Sequence, residues 1–187
     1  MNSKILIDNI EVKNIIKSLC GRNQMSQNEY EYIASIAKNK KMLVFGTGKD
    51  TNLWQKISKY SVFLENDPKW MPKENNQNIY LINYTCKIEN YKNILHNLKN
   101  GDCSSLIIDL PNQAKDDWDV ILVDAPTGYA KGQHGRMQSI YTSYLLANKN
   151  TDVFIHDYNR DVEKLFSDYL YKLRIKQIDR LVHVRLK

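Results

Sequence analysis

Met42-Leu-Val-Phe-Gly46-Thr-Gly48-Lys-Asp50 is the stretch on which the fold turns. Four apolar residues in a row read as a strand buried on both faces. The Gly-x-Gly that follows reads as a tight turn into a helix through Leu53, Trp54 and Ile57. Glycine permits such a turn and lets a ligand come close to the backbone. The chain continues GTGKDT, so the third glycine of the dinucleotide fingerprint is absent. That argues against a nicotinamide dinucleotide and leaves room for a ligand without a pyrophosphate, with S-adenosyl-L-methionine the candidate. Gly46, Gly48 and Asp50 are then expected to line its pocket. Asp50 has two readings, a partner for the ligand's methionine amino group or the N-cap of the next helix.

The same pattern recurs downstream. Val62-Phe-Leu-Glu65 is a second buried strand ending in an acid, and Glu65 lies nineteen positions past Gly46. A carboxylate at that spacing accepts hydrogen bonds from ribose hydroxyls, its bland alternative being a solvated strand end. Trp118-Asp-Val-Ile-Leu-Val-Asp124-Ala-Pro-Thr-Gly-Tyr129 and Asp152-Val-Phe-Ile-His156-Asp157 end two further strands in the same sense. Open α/β sheets bind ligands at such carboxyl ends. Asp124, His156 and Asp157 are therefore expected to meet above the sheet as catalytic residues, with Asp124 also reaching the cofactor. They offer either a general base, Asp124 or His156, or an oxygen and imidazole site for a divalent ion such as Mg2+. The loop between them, Lys131-Gly-Gln-His134-Gly135-Arg136, is basic and precedes a helix. Tyr129, His134 and Arg136 are expected to bind substrate. Arg136 either grips a carboxylate through two parallel hydrogen bonds or pairs with Asp124 or Asp157 to fix the loop.

Short apolar runs at 42–45, 61–64, 79–82, 120–123 and 153–155 alternate with helical stripes at 91–98, 137–146 and 162–173. Alternation of this kind predicts an α/β fold with a mostly parallel central sheet and helices on both faces. The polar-apolar alternation of 180–186 predicts an antiparallel edge strand. Ahead of the sheet, 8–20 reads as a helix ended by Gly21. Ser26 and Glu29 then form a capping-box pattern before a second helix. The expected organisation is one domain over 1–187, with a helical segment, 1–40, packed on a Rossmann core, 41–187.

The whole chain has 187 residues, about one domain's worth, with 42% hydrophobic and 26% charged residues, which excludes a disordered or collagen-like chain. A net charge of +6 favours anionic partners without selecting among nucleic acids, anionic sugars and phosphates. Three cysteines, Cys20, Cys86 and Cys103, form no CxxC pair, which argues against a disulfide framework or a cysteine zinc site. The opening MNSKILIDNIEVKN is charged too early for a secretory leader, and no apolar run approaches the ~20 residues of a membrane span. A soluble, cytoplasmic protein is expected.

Taken in order, GTGKD, FLENDPKW from Phe63, Tyr84-Thr85, WDVILVDAPTGY from Trp118, Gly135-Arg-Met137 with Ile140-Tyr141, and TDVFIHD from Thr151 resemble the glucuronoxylan 4-O-methyltransferase family of plant cell-wall biosynthesis, also called the irregular-xylem family. The resemblance runs from about Gln24 to the C-terminus. It implies a Rossmann-like methyltransferase that uses S-adenosylmethionine to methylate a sugar hydroxyl, often on glucuronic acid, in polysaccharide biosynthesis. Asn66 stands where members often carry a second acid, and His134 where they often carry proline. Plant members have a membrane anchor and stem; the short form predicts a bacterial or viral relative acting on a nucleotide sugar or glycan precursor. Two other readings use the same fold. A nucleic-acid methyltransferase is disfavoured because the positive charge is spread out and no Asn-Pro-Pro-Tyr-like tetrapeptide is present. A non-catalytic binding module is disfavoured because the acidic strand tips are all retained.

Overall fold

A computed structural model describes residues 10–21, 25–72 and 78–187; residues 8 and 9 of the first expected helix, and Gln24, lie outside them. Two helices come first, α1 (Ile10–Leu19) and α2 (Gln27–Ala37). The expected capping box opens α2. Ser26 Oγ accepts from the Glu29 backbone N–H at 3.2 Å, and the Glu29 carboxylate accepts from the Ser26 N–H at 2.6 Å. The chain then alternates through β1 (Lys41–Phe45), α3 (Thr51–Ile57), β2 (Tyr60–Glu65), β3 (Ile79–Leu81), α4 (Tyr91–Lys99), β4 (Val120–Val123), α5 (Met137–Leu146), β5 (Asp152–Ile155) and α6 (Asp161–Leu170). It closes with β6 (Leu173–Ile178) and β7 (Leu181–Arg185).

The seven strands form one sheet in the order β3-β2-β1-β4-β5-β7-β6. β1 to β5 are parallel, whereas β7 runs antiparallel to both β5 and β6. Successive strand residues alternate sides, so the buried runs feed two cores. Met42 and Val44 face α1, α2 and α3 through Ile16, Ile33 and Trp54. Leu43 and Phe45 face the other layer through Leu95, Ile140 and Phe166. Both cores draw on the same strands, which is why those strands tolerate no polar alternation.

The C-terminal antiparallel element is a pair of strands. The stretch expected at the sheet edge, 180–186, is the inner member, β7, and β6 forms the edge. The helix read over 162–173 stops at Leu170, because Leu173–Ile178 pairs with β7 as the edge strand, with a register shift between Arg174 and Lys176, and Leu173 and Ile175 stay exposed there. All three cysteines are free, and among the described residues no helix is long and apolar enough to cross a membrane.

Candidate active site

Parallel pairing sets the site. Phe45 aligns with Leu64 on one side and with Val123 on the other, and Val123 aligns with Ile155. The next residues, Gly46, Glu65, Asp124 and His156, therefore emerge level along one rim, on either side of the point where the strand order reverses between β1 and β4. The expected convergence of the strand tips is present.

On the β1–β2 half, Gly46 has φ +111°, and a Cβ placed there would lie 2.8 Å from the Ala125 Cβ. Glycine is needed at this position so that the β4 loop can pack against it, a requirement independent of any ligand. Glu65 ties the two loops together. Its Oε2 accepts from the Thr47 N–H and hydroxyl at 2.9 and 2.7 Å, and its Oε1 accepts from the Asn66 and Asp67 N–H groups at 2.6 and 2.8 Å. A ribose hydroxyl reaching Glu65 would thus take the place of the Thr47 hydroxyl.

Asp50 stands at the N-cap of α3 without capping it. The expected capping role falls outside its reach because its Oδ2 accepts from the Trp54 indole N–H at 2.9 Å, while Thr51 Oγ1 accepts the Gly48 N–H. Burial, reinforced by the neighbouring Asp124, pushes the Asp50 carboxyl up to about 6.

On the β4–β5 half, charges interlock. His156 Nδ1 donates to Asp124 Oδ1 at 2.9 Å, and its Nε2 faces Glu29 Oε2 at 3.7 Å, an ion-pair separation too long for a hydrogen bond. Burial opposes a charged ring, but Asp124, Glu29 and Asp157 together outweigh it and raise His156 from 6.5 to about 9. The surrounding carboxylates thus favour the protonated ring, which weighs against the general-base role, one of its two expected roles. The Asp124 carboxyl, half-buried, is held below its ordinary value by Arg136, His156 and Arg180, which outweigh its desolvation. Both of its contacts fall on Oδ1, and Oδ2 accepts nothing from the described residues.

Arg136 is enclosed, with 6% of its side chain exposed. Its Nη2 bridges Asp124 Oδ1 at 3.0 Å and Asp157 Oδ2 at 2.9 Å, and its Nη1 donates to the His156 carbonyl at 2.7 Å. Of the two readings of Arg136, the loop-fixing one matches the structure. Behind it lies buried Glu163, Oε1 at 4.0 Å from Arg136 Nε, its carboxyl raised by burial. Asp157, in a left-handed turn at φ +58°, also accepts from Arg160 at 3.0 Å and Arg180 at 2.9 Å.

Two adjoining cavities lie over the rim. The smaller, about 270 Å3, is lined by Gly46, Glu65, Asn66 and Asp67; the larger, about 460 Å3, by Lys49, Tyr129, Arg136, His156, Arg160 and Arg180. Thr47, Asp50, Trp70, Asp124 and Thr127 line both. Tyr129 and Trp70 are exposed at the larger cavity. His134 lines neither. Its loop folds back, Gly135 N–H donating to the Thr127 carbonyl, so the imidazole sits against the Cys86 carbonyl and Lys87.

Asp124, His156 and Asp157 each place a donor atom within 4.8 Å of the others. A divalent ion would nonetheless have to displace the Arg136 guanidinium between the two carboxylates and deprotonate a ring held as a cation. As the side chains stand, with Arg136 between the two carboxylates, the trio does not fit a divalent ion.

Sequence reasoning missed Glu29, Arg160, Arg180 and Glu163. Glu29 was legible only as a capping residue, and the other three lie on α6, its approach and the β6–β7 turn, with no local motif.

A parallel sheet with a reversal point, a glycine turn after β1 and acidic tips after β2 and β4 defines a Rossmann-like fold. Among solved structures, a T. Thermophilus 16S rRNA N2 G1207 methyltransferase in complex with AdoMet and guanosine superposes with a TM-score of 0.51 at 10% identity, covering 86% of this chain and 41% of that one, a likeness of fold. The chain belongs to the IRX15/IRX15L/GXM family, which matches residues 27–184. Its Arabidopsis thaliana relatives include glucuronoxylan 4-O-methyltransferase 2, 36% identical over 148 residues, 67% of this chain and 51% of that protein. Arabinogalactan O-methyltransferase 1 is 30% identical over 169 residues, 75% of this chain and 58% of that protein. The chain thus spans about half the length of these relatives.

Proposed function

We propose that this chain is an S-adenosylmethionine-dependent O-methyltransferase acting on a sugar hydroxyl, on glucuronic acid or a related unit of a glycan or glycan precursor. The observation that carries the reading is the pair of cavities joined at Asp124. The smaller, lined by Gly46 and Glu65, would take the cofactor's adenosine, and Asp50 at the junction, with Gly48 on the larger side, would meet its methionine end. The larger, with its cations and exposed aromatics, takes the acceptor. The relatives' names, glucuronoxylan and arabinogalactan O-methyltransferase, support a glycan acceptor.

Methyl transfer is an in-line displacement in which the sulfonium already supplies the leaving group. The protein's work is to align oxygen, methyl and sulfur and to exclude water, worth about 7–11 kcal/mol when complete. As the O–CH3 bond forms, the hydroxyl becomes strongly acidic, so a modest base suffices late in the step. Asp124 Oδ2 is that base, while His156 and Arg136 hold Oδ1 and fix the carboxylate's orientation.

Calorimetry with S-adenosylhomocysteine, followed by transfer of labelled methyl to a glucuronic-acid oligosaccharide, tests the reading; failure to bind the cofactor product would favour a non-catalytic module. Running the transfer assay with a chelator separates base from metal chemistry. Unchanged turnover is expected, and a loss restored by adding a divalent ion would reassign Asp124, His156 and Asp157.

A further inference from the structure

We propose that Arg160, with Arg180 beside it, is the residue that selects an anionic acceptor, and that Arg136 is a positioning residue for the base; this rests on the methyl-transfer reading above. Buried Asp157 is the hub. It accepts Arg136 and Arg160 on Oδ2 and Arg180 on Oδ1, so three guanidinium groups converge on one carboxylate. They are not equivalent. Arg136 is enclosed and commits both terminal nitrogens to Asp124, Asp157 and the His156 carbonyl. The Arg160 side chain is 31% exposed and reaches Asp157 through Nη1 alone among the described residues. Arg160 also lines the larger cavity, where its guanidinium would offer an acceptor carboxylate two parallel hydrogen bonds.

Charge points the same way. Around that cavity Lys49, Arg136, Arg160, Arg180 and protonated His156 face Asp50, Asp124 and Asp157, an excess of cations before the sulfonium arrives. The geometry also bounds how far the anion sits from the methylated hydroxyl. Donor oxygens of Asp124 and Asp157 lie within 4.8 Å of each other. An anion on the outer side of Arg160 is only a further hydrogen bond or two away, each about 3 Å. A span of that length takes in the methylated ring and its neighbour, so the anion sits on one of the two. A ring carboxylate and a phosphate at the anomeric carbon both satisfy it; the carboxylate suits the flat, bidentate fork better.

The test compares wild type, Arg160→Gln and Arg160→Lys on three acceptors: a glucuronic-acid oligosaccharide, its carboxyl-reduced form, and uridine diphosphate glucose. Where an acceptor is not turned over, its Kd for the protein loaded with S-adenosylhomocysteine replaces KM. For Arg160→Gln, KM for the acid should rise roughly tenfold to a hundredfold with kcat within about threefold. The reduced acceptor should change less than about twofold, and Arg160→Lys should recover part of the loss. Equal losses on acid and reduced acceptors, or a parallel loss of S-adenosylhomocysteine affinity, would make Arg160 structural and overturn the proposal. An equal penalty on uridine diphosphate glucose would assign the fork to phosphate and overturn the carboxylate. If wild type binds S-adenosylhomocysteine yet neither binds nor methylates any of the three, the sugar reading itself fails and the proposal with it.

Discussion

Replacing His156 by Gln should cost most stability in acid and almost none of the same increment in alkali. In the folded protein the imidazole is raised from 6.5 to about 9, burial opposing and Asp124, Glu29 and Asp157 prevailing. Because the folded value lies above the unfolded one, folding takes up a proton. The stabilisation is complete below about pH 6.5, declines between there and 9, and vanishes above 9. A rise from 6.5 to about 9 corresponds to about 3 kcal/mol. With 4% of the side chain exposed, solvent screening removes little of it. That is a large share of the ~5–15 kcal/mol by which domains are stable. Urea unfolding of wild type and His156→Gln at half-unit steps from pH 5 to 10 would measure it. The stability gap between the two should narrow by about 3 kcal/mol from the acid to the alkaline end. A gap that stayed level within about 1 kcal/mol, or widened upward, would show that His156 is neutral in the folded state. Asp124 would then lose its charged partner, and the imidazole would return as a rival base.

Arg136→Met should destabilise the protein by about 3–5 kcal/mol, because Asp124, Asp157 and Glu163 would lose the cation buried among them. At about 2–4 °C per kcal/mol for a chain of this size, the midpoint of thermal unfolding should fall by about 6–20 °C; a drop under about 3 °C would mean the carboxylates re-pair without it. Glu65→Ala should weaken S-adenosylhomocysteine binding at least about tenfold in a calorimetric titration, since the Thr47 and Asn66–Asp67 loops lose their shared acceptor as well as any ribose contact. Unchanged affinity would remove Glu65 from the cofactor site.

The strands were legible because a strand buried on both faces cannot carry polar residues, and runs such as Val120-Ile-Leu-Val123 satisfy no other structure so well. The residue ending each run was legible as a site residue for the same reason: it is the first free to be polar. β6 was not legible, since Leu173 continues the apolar stripe of α6, Ile178 breaks the alternation of Leu173 and Ile175, and only the pairing with β7 defines the strand. Arg136 was legible as a charge near the site, but its two readings differ only in depth of burial, which neighbours distant in the chain decide. Glu29 illustrates a further limit. Its local capping pattern was sufficient explanation for a glutamate at that position, while its second contacts, with the Arg180 N–H at 2.8 Å and with His156, span more than a hundred residues. Arg160 and Arg180 became site residues only through Asp157, whose left-handed turn aims its carboxylate back at them.

Glu29 has one more effect. It makes a residue from ahead of the sheet an electrical neighbour of the reaction centre, so the leading helices cannot be exchanged or trimmed as if they were packaging. A chimera that borrows these helices from another protein would keep its shape only if the donor also brought an acid able to face His156. Drift at either end of that contact would select for compensating change at the other.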